Sequence, residues 1–295
     1  MAKRIYILSL LVALFSQSVL AQFVQDNELS KAEFYLQKGE MDSAQKYLDE
    51  AVTANKFNTE AKLWFYRAYV YKEQYKLKEK QTLHSELRNE SATSILKLYE
   101  TEGKETYAQQ TEPLIKYVSS TYYNDAARAI NNNDFDLAAT NFNQYKKLQK
   151  LINTDEKTLI DQEIQFKFAI ATAISKSSEE KIDSNKREQL INLFKDILAV
   201  DANNASANYN LSLLYYNQGV DIVNNMDYDM DFDKLLATQD KITALFNEAL
   251  PYMLKAYEQD YRKEDTLEGL KNIYHGLNDL EKSNYYKQQL EEIQK

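Results

Sequence analysis

Residues 194–219 read FKDILAVDANNASANYNLSLLYYNQG, and this stretch decides the fold. Phe194 and Ile197 close one amphipathic helix, while Leu211, Ser212, Tyr215 and Gly219 build the next. Between them DANN (residues 201–204) breaks the apolar spacing with turn-forming side chains. The same spacing fills most of the chain, as in LSKAEFYLQKG (29–39) and REQLINLFKDILAV (187–200). Glycine (5) and proline (2) are too scarce for the turns of a parallel α/β fold or a β-sandwich. Packed helices joined by short polar turns need neither, so the expected fold class is all-α.

A small–aromatic–small order recurs along the chain. ELSKAEFYLQKGEMDSAQKYLDEAVTANK (28–56) places Ala32, Tyr35, Gly39, Met41, Ala44, Leu48 and Ala51 in sequence. WFYRAYVYKEQY (64–75) gives Trp64, Ala68 and Tyr71. STYYNDAARAINNNDFDLAATNFNQY (120–145) gives Tyr122, Ala126 and Ala129, then Phe135, Ala138 and Phe142. EALPYMLKAYEQD (248–260) supplies Ala249, Met253 and Ala256, and LEGLKNIYHGLNDLEKSNYYKQQL (267–290) supplies Leu267, Leu270, Tyr274, Leu280 and Ser283. Small residues at these places let two helix axes approach while aromatics fill the space beside them.

This order resembles the tetratricopeptide repeat, with DANN standing where that family often has Asp-Pro-Asn. The resemblance implies a right-handed superhelical solenoid of stacked antiparallel helix pairs, in approximate units 28–57, 58–100, 111–152, 154–202, 204–261 and 264–293. Ala32, Ala68, Ala126 and Ser212 are unevenly spaced, so several hairpins are lengthened. In the fourth unit only the second helix is well marked. Gly39 suits the turn of the first hairpin, and Asp42 with Ser43 suits a cap on its second helix. TEGKETYAQQTEP (101–113) reads as a linker ending in a helix start, with Thr111 as cap and Pro113 in the first turn. No shift of composition divides residues 22–295, so they are expected to form a single repeat domain.

The first 21 residues have a signal-peptide pattern: MAKR, an apolar run IYILSLLVALF, then SQSVLA with small Val19 and Ala21 before the expected cut. That run is shorter than the roughly 20 residues of a membrane span. Export to the periplasm of a Gram-negative bacterium is the expectation, and the repeats are similar to envelope tetratricopeptide proteins of the Bacteroidetes. No cysteine is present, so thiolate chemistry, cysteine-bound zinc and a lipid anchor on cysteine are excluded. Lys and Arg total 36 against 45 Asp and Glu; without Lys3 and Arg4 the balance is 34 against 45, or −11. Such a surface repels phosphate backbones and anionic headgroups, so neither nucleic acid nor membrane is the expected partner.

Catalytic motifs are missing: no G-x-S-x-G, H-E-x-x-H, phosphate loop or dinucleotide fingerprint occurs. His84 and His275 stand apart in charge-rich helical patterns and read as surface residues. NNMDYDMDFDKL (224–235) carries aspartates at 227, 229, 231 and 233. As a calcium loop it fails, because Phe232 stands in place of the glycine and Thr238 in place of the closing glutamate. It reads instead as the turn of a long hairpin, its aspartates facing the positive end of the next helix. A partner-contacting tip is the other reading. No cofactor or metal is expected.

The 23 tyrosines and 12 phenylalanines mostly suit repeat interfaces. Phe65, Tyr69, Tyr123, Tyr209 and Tyr216 fall on first-helix faces that line the inner groove of the resembled family, and are the candidate partner-binding residues. The Lys, Arg and Asn clamp by which some of that family hold a terminal carboxylate is absent, since Leu29, Glu33, Tyr209 and Leu213 occupy its places. The expected function is therefore a non-enzymatic protein–protein interaction scaffold taking a basic or apolar peptide or a protein surface. Glycan or small-ligand binding in the same groove is the alternative, weakened by the single tryptophan, Trp64.

Overall fold

The computed structural model describes residues 27–177, 182–227 and 229–294. The expected signal peptide, residues 1–21, lies outside them. Every regular element among the described residues is helical: α1 (Glu28–Gln37), α2 (Met41–Ala54), α3 (Ala61–Gln74), α4 (Glu86–Glu100), α5 (Ala108–Asn131) and α6 (Phe135–Leu151) in the first half. α7 (Glu156–Lys176), α8 (Ser184–Val200), α9 (Ala205–Asn224), α10 (Phe232–Glu258), α11 (Lys263–Gly276) and α12 (Leu280–Ile293) follow. A π-helical turn, Tyr75–Glu79, extends α3, and a 3₁₀ turn, Lys104–Tyr107, precedes α5. The fold is all-α, built of antiparallel helix pairs that pack in chain order.

Two compact units divide the chain. The first takes the described residues up to Asp125 together with Asn141–Asn153; the second takes Ala126–Thr140 and everything from Thr154 onward. In the first, α1 packs on α2, α2 on α3 and α3 on α4. In the second, each of α7 to α11 packs on its successor. Packing to the nearest neighbour in sequence is what a series of hairpins requires, because one helix pair alone cannot bury its apolar face.

Small residues make the close approaches. Ala32, Ala44, Ala51 and Ala68 are fully buried in the first unit, and Ala129, Ala138, Ala207, Ala249 and Ala256 in the second. Where serine takes the small place its hydroxyl finds a carbonyl on the facing helix. Ser91 donates to Ala68 O (2.9 Å), Ser212 to Ala249 O (2.8 Å) and Ser283 to Lys271 O (2.9 Å). A buried hydroxyl without such an acceptor costs about 1–3 kcal/mol, so these bonds decide that serine is tolerated.

Turns follow the expected chemistry in part. Gly39 sits at φ +75°, the left-handed conformation that closes the α1–α2 turn. Asn204, last of the DANN stretch, caps α9 by accepting from Ala207 N at 3.0 Å. Two expected caps are corrected. Asp42 lies inside the first turn of α2, where Glu40 is the capping residue without a side-chain bond. Its carboxylate instead accepts from Gln74 and Lys78, both at 2.7 Å, across the hairpin stack. Thr111 does not start a helix either: α5 begins at Ala108, Pro113 is inside it, and the Thr111 hydroxyl donates back to Tyr107 O at 2.7 Å. Pro113 is the sixth residue of α5, past the four amides that lack an intrahelical acceptor, so the helix runs through it with one backbone hydrogen bond missing.

The acidic stretch resolves as a turn of the α9–α10 hairpin. Asp231 caps α10, accepting from Lys234 N at 3.0 Å, and Asp227 Oδ1 accepts from Asp229 N at 3.0 Å. With 27 residues, α10 spans about 40 Å, nearly twice the 14-residue α11 that packs on it. This is one of the lengthened hairpins. His84 is exposed in the turn before α4 rather than within a helix, and His275 is exposed in α11.

Candidate functional site

The candidate aromatics come from the first helices of the pairs. On α3, one residue per 100° puts Lys62, Phe65, Tyr66, Tyr69 and Glu73 on one side of the cylinder. Lys62 pairs with Glu33 of α1, and the Tyr66 hydroxyl donates to the same carboxylate at 3.2 Å. Tyr69 is half-buried; Lys72 Nζ lies 4.6 Å from its ring centre and pairs with Glu73. Burial, and then the Glu73 charge, push the Tyr69 phenol above its ordinary range, so it stays a neutral donor.

Phe65 does not offer itself to a ligand. It is 8% exposed, and Tyr107 of the 3₁₀ turn stacks on it at 4.7 Å. The correction has a physical cause: residues 104–107 fold back over α3 and cover the ring. Tyr123 on α5 is 40% exposed, leaning on Tyr145 (5.1 Å) and Phe142 (6.4 Å) of α6. Phe34, also 40% exposed with Lys38 over its ring at 4.3 Å, belongs to the aromatic surface of the first unit although the spacing argument did not single it out.

In the second unit Tyr209 is likewise covered. It is 6% exposed, its ring tilted against that of Tyr261 at 5.7 Å, with the Arg262 guanidinium 5.2 Å from its ring centre. Arg262 adopts φ +45° to begin α11 and pairs with Asp265 at 2.7 Å. Tyr216 is half-buried and stacked on Phe246 at 5.4 Å. Burial and the Glu268 carboxylate raise its phenol. Tyrosines beside carboxylates thus recur: Tyr66 by Glu33, Tyr69 by Glu73, Tyr216 by Glu268. Each sets a neutral phenol and a π face next to a carboxylate; Glu33 and Glu73 are themselves paired with lysines, whereas Glu268 is near Lys271 at 3.5 Å.

On the other side of α3, roughly 150° round the helix, Arg67 and Tyr71 form a polar floor. Arg67 is 8% exposed and binds Asp49 through Nε (3.1 Å) and Nη2 (3.0 Å), and Ser94 (2.9 Å) and Glu90 (2.7 Å) through Nη1. The Tyr71 hydroxyl donates to Asp49 at 2.8 Å, and its phenol is pushed up to about 12 by burial and by that bond. Above this floor is a cleft of about 390 Å³ between α2, α3 and α4.

A second arginine is wholly interior. Arg88 of α4 is 1% exposed, pairs with Asp125 of α5, and donates to Asn141 of α6 at 3.2 Å and to Leu83 O at 3.0 Å. Its guanidinium lies 4.1 Å from the Tyr122 ring centre. The Tyr122 phenol, pushed up to about 12 by burial, donates to Asn89 at 2.6 Å. This network ties three helices of the first unit and has no access to a ligand.

Among the described residues no three histidines or carboxylates lie close enough to hold a metal ion, and no helix is long and apolar enough to cross a membrane. The class that the geometry defines is an all-helical repeat scaffold.

No family model matches the chain, and no curated protein matches it. Among solved structures, a monomeric mutant of IFIT1 with Gppp-AAAA is similar at 13% identity over 88% of this chain, with a TM-score of 0.36. The human IFIT1 dimer with m7Gppp-AAAA is similar at 15% identity over 91%, with a TM-score of 0.35. The chain spans 58% of the first of these proteins and 69% of the second. Likeness of this degree carries nothing about ligands.

Proposed function

We propose that the protein is a non-enzymatic interaction scaffold of the bacterial envelope that binds a basic segment of a protein partner on its first-helix faces. The observation that supports this reading is the recurrence of accessible tyrosines beside carboxylates, at Tyr66, Tyr69 and Tyr216, with exposed Tyr123 and Phe34 adding aromatic area. Phe65 and Tyr209 contribute by fixing the faces from beneath. Preordered aromatics lose little entropy on association, and tyrosine supplies both a π face and a donor. The acidic balance, 45 against 36, favours cationic segments over nucleic acid. Export and a periplasmic site belong to this proposal and rest on residues 1–21.

The test is capture of partners by the tagged protein from an envelope extract, compared with Tyr69→Ala and Tyr216→Ala. Loss of one accessible tyrosine should weaken binding about tenfold, the equivalent of about 1.4 kcal/mol. Identical behaviour of both variants in every binding assay, or turnover of a substrate by the purified protein, contradicts the proposal.

A further inference from the structure

We infer that the cleft between α8, α9 and α10 is a binding site for a small organic anion, an apolar chain ending in a carboxylate. It is lined by Arg187 at the start of α8, Asp221 and Ile222 near the end of α9, Met226 and Met230 of the turn, and Lys241 of α10. Asp221, Ile222 and Gln218, which also faces the cleft, stand roughly 140–240° round α9 from Tyr216. The site is therefore independent of the aromatic face.

The sign of the ligand follows from which donors the fold leaves over. The Arg187 side chain is only 15% exposed, yet it makes a single contact, Nη2 to Asp221 at 2.6 Å. Its Nε and Nη1 groups donate to nothing among the described residues, although a guanidinium taken this far out of water ordinarily fills its donors. Lys241 has no ion pair, and the Gln218 amide no hydrogen bond, among the described residues. Two cations against one carboxylate leave +1 on the lining, in a chain whose acids outnumber its bases 45 to 36. The aspartates of the neighbouring turn are not on the cleft wall: Asp231 caps α10 and pairs with Lys234 at 2.9 Å, and Asp227 accepts from Asp229 N. An anion entering here meets a guanidinium already oriented by Asp221 and with most of its fork unused.

The wall decides what the anion carries. Ile222, Met226 and Met230 are half-buried, and two of the five methionines in the chain thus meet at one cleft. Unbranched, polarizable thioether side chains adapt their shape to an alkyl chain. A volume of about 380 Å³ falls within the roughly 300–1,000 Å³ of small-molecule clefts. A bare inorganic anion would leave this apolar wall unused.

The experiment labels the methionine methyl groups with carbon-13 and follows them by NMR in the whole protein at low salt. The probes are hexanoate, acetate, hexanol and hexylamine. Hexanoate should shift the Met226 and Met230 signals saturably and leave Met253, fully buried against Gly269 of α11, unmoved. Acetate, without the chain, and hexanol, without the charge, should bind at least about tenfold more weakly, and hexylamine should not bind. Arg187→Gln should weaken hexanoate at least about tenfold. Lys241→Gln, which breaks no ion pair in the fold, should weaken it severalfold. No saturable shift with hexanoate, equal affinity for hexanol, saturation by hexylamine, or unchanged affinity in Lys241→Gln overturns the inference.

Discussion

Alanine at Gly219 should destabilise the protein, although the same change in an open helix does the opposite. Gly219 is inside α9, where glycine-to-alanine ordinarily gains about 1 kcal/mol. Here a Cβ would stand 2.6 Å from Phe246 Cε1. The ring cannot retreat, because its Cε2 edge is against Gly276 of α11, where an added Cβ would also collide, and Tyr216 stacks on its face at 5.4 Å. Phe246 is 4% exposed and buried between three helices. Overpacking a closed site of this kind costs about 1–3 kcal/mol. The balance is a net loss of about 0–2 kcal/mol for Gly219→Ala. In a Phe246→Leu background the obstacle is gone, so Gly219→Ala should then stabilise by up to about 1 kcal/mol. Urea unfolding followed by far-ultraviolet circular dichroism measures all four members of the cycle. A gain of similar size in both backgrounds would refute the clamped-ring argument.

Other outcomes follow from the same packing. Asp125→Ala leaves the Arg88 charge uncompensated in the interior and should cost about 3–5 kcal/mol. Trp64, 6% exposed and donating to Asn58 O at 2.8 Å, reports unfolding of the first unit, so its fluorescence follows that loss. Phenols raised to about 12 at Tyr71, Tyr122 and Tyr286, chiefly by burial, make the fold sensitive to alkali. Their unfolded value is about 10, so above it the unfolded chain releases protons that the native chain keeps. The stabilisation is complete below about pH 10 and is lost as pH rises toward about 12; denaturation midpoints should fall across that window, and phenolate absorbance should rise late and together with unfolding. Tyr209→Phe should leave stability nearly unchanged, since the Tyr209 ring, and not its hydroxyl, meets Tyr261 and Arg262.

Helix packing was legible where it rests on residue size. Ala32, Ala68, Ala126 and Ser212 are buried to within 1% of completely, because a small side chain at helical spacing has one use, close approach. The acidic turn was legible too, since Asp231 acts through a local bond to Lys234 N. α7 was harder to see. Its half-buried Phe166 and Phe168 add apolar residues beside the core positions Ile164, Ile170 and Ala171, and Ala169 interrupts the exposed stripe of Asp161, Gln165 and Thr172, so the polar side is weakly marked. The aromatic faces were only partly readable. Tyr69, Tyr123 and Tyr216 remain accessible, whereas Phe65 and Tyr209 are covered by Tyr107 and Tyr261, which lie 42 and 52 residues further along. Asp42 was misjudged for the same reason, as Gln74 and Lys78 come from another hairpin. Arg88, Asp125 and Asn141 left no local signal at all.

The proposed binding role is tested most directly by photo-crosslinking in the living cell, with a photoreactive residue placed at Tyr123 or Tyr216 and, as control, at exposed Lys147. One common partner joined at both tyrosine positions and absent at Lys147 is the outcome the account predicts. Adducts at Lys147 as strong as at the tyrosines, or none anywhere, would contradict it.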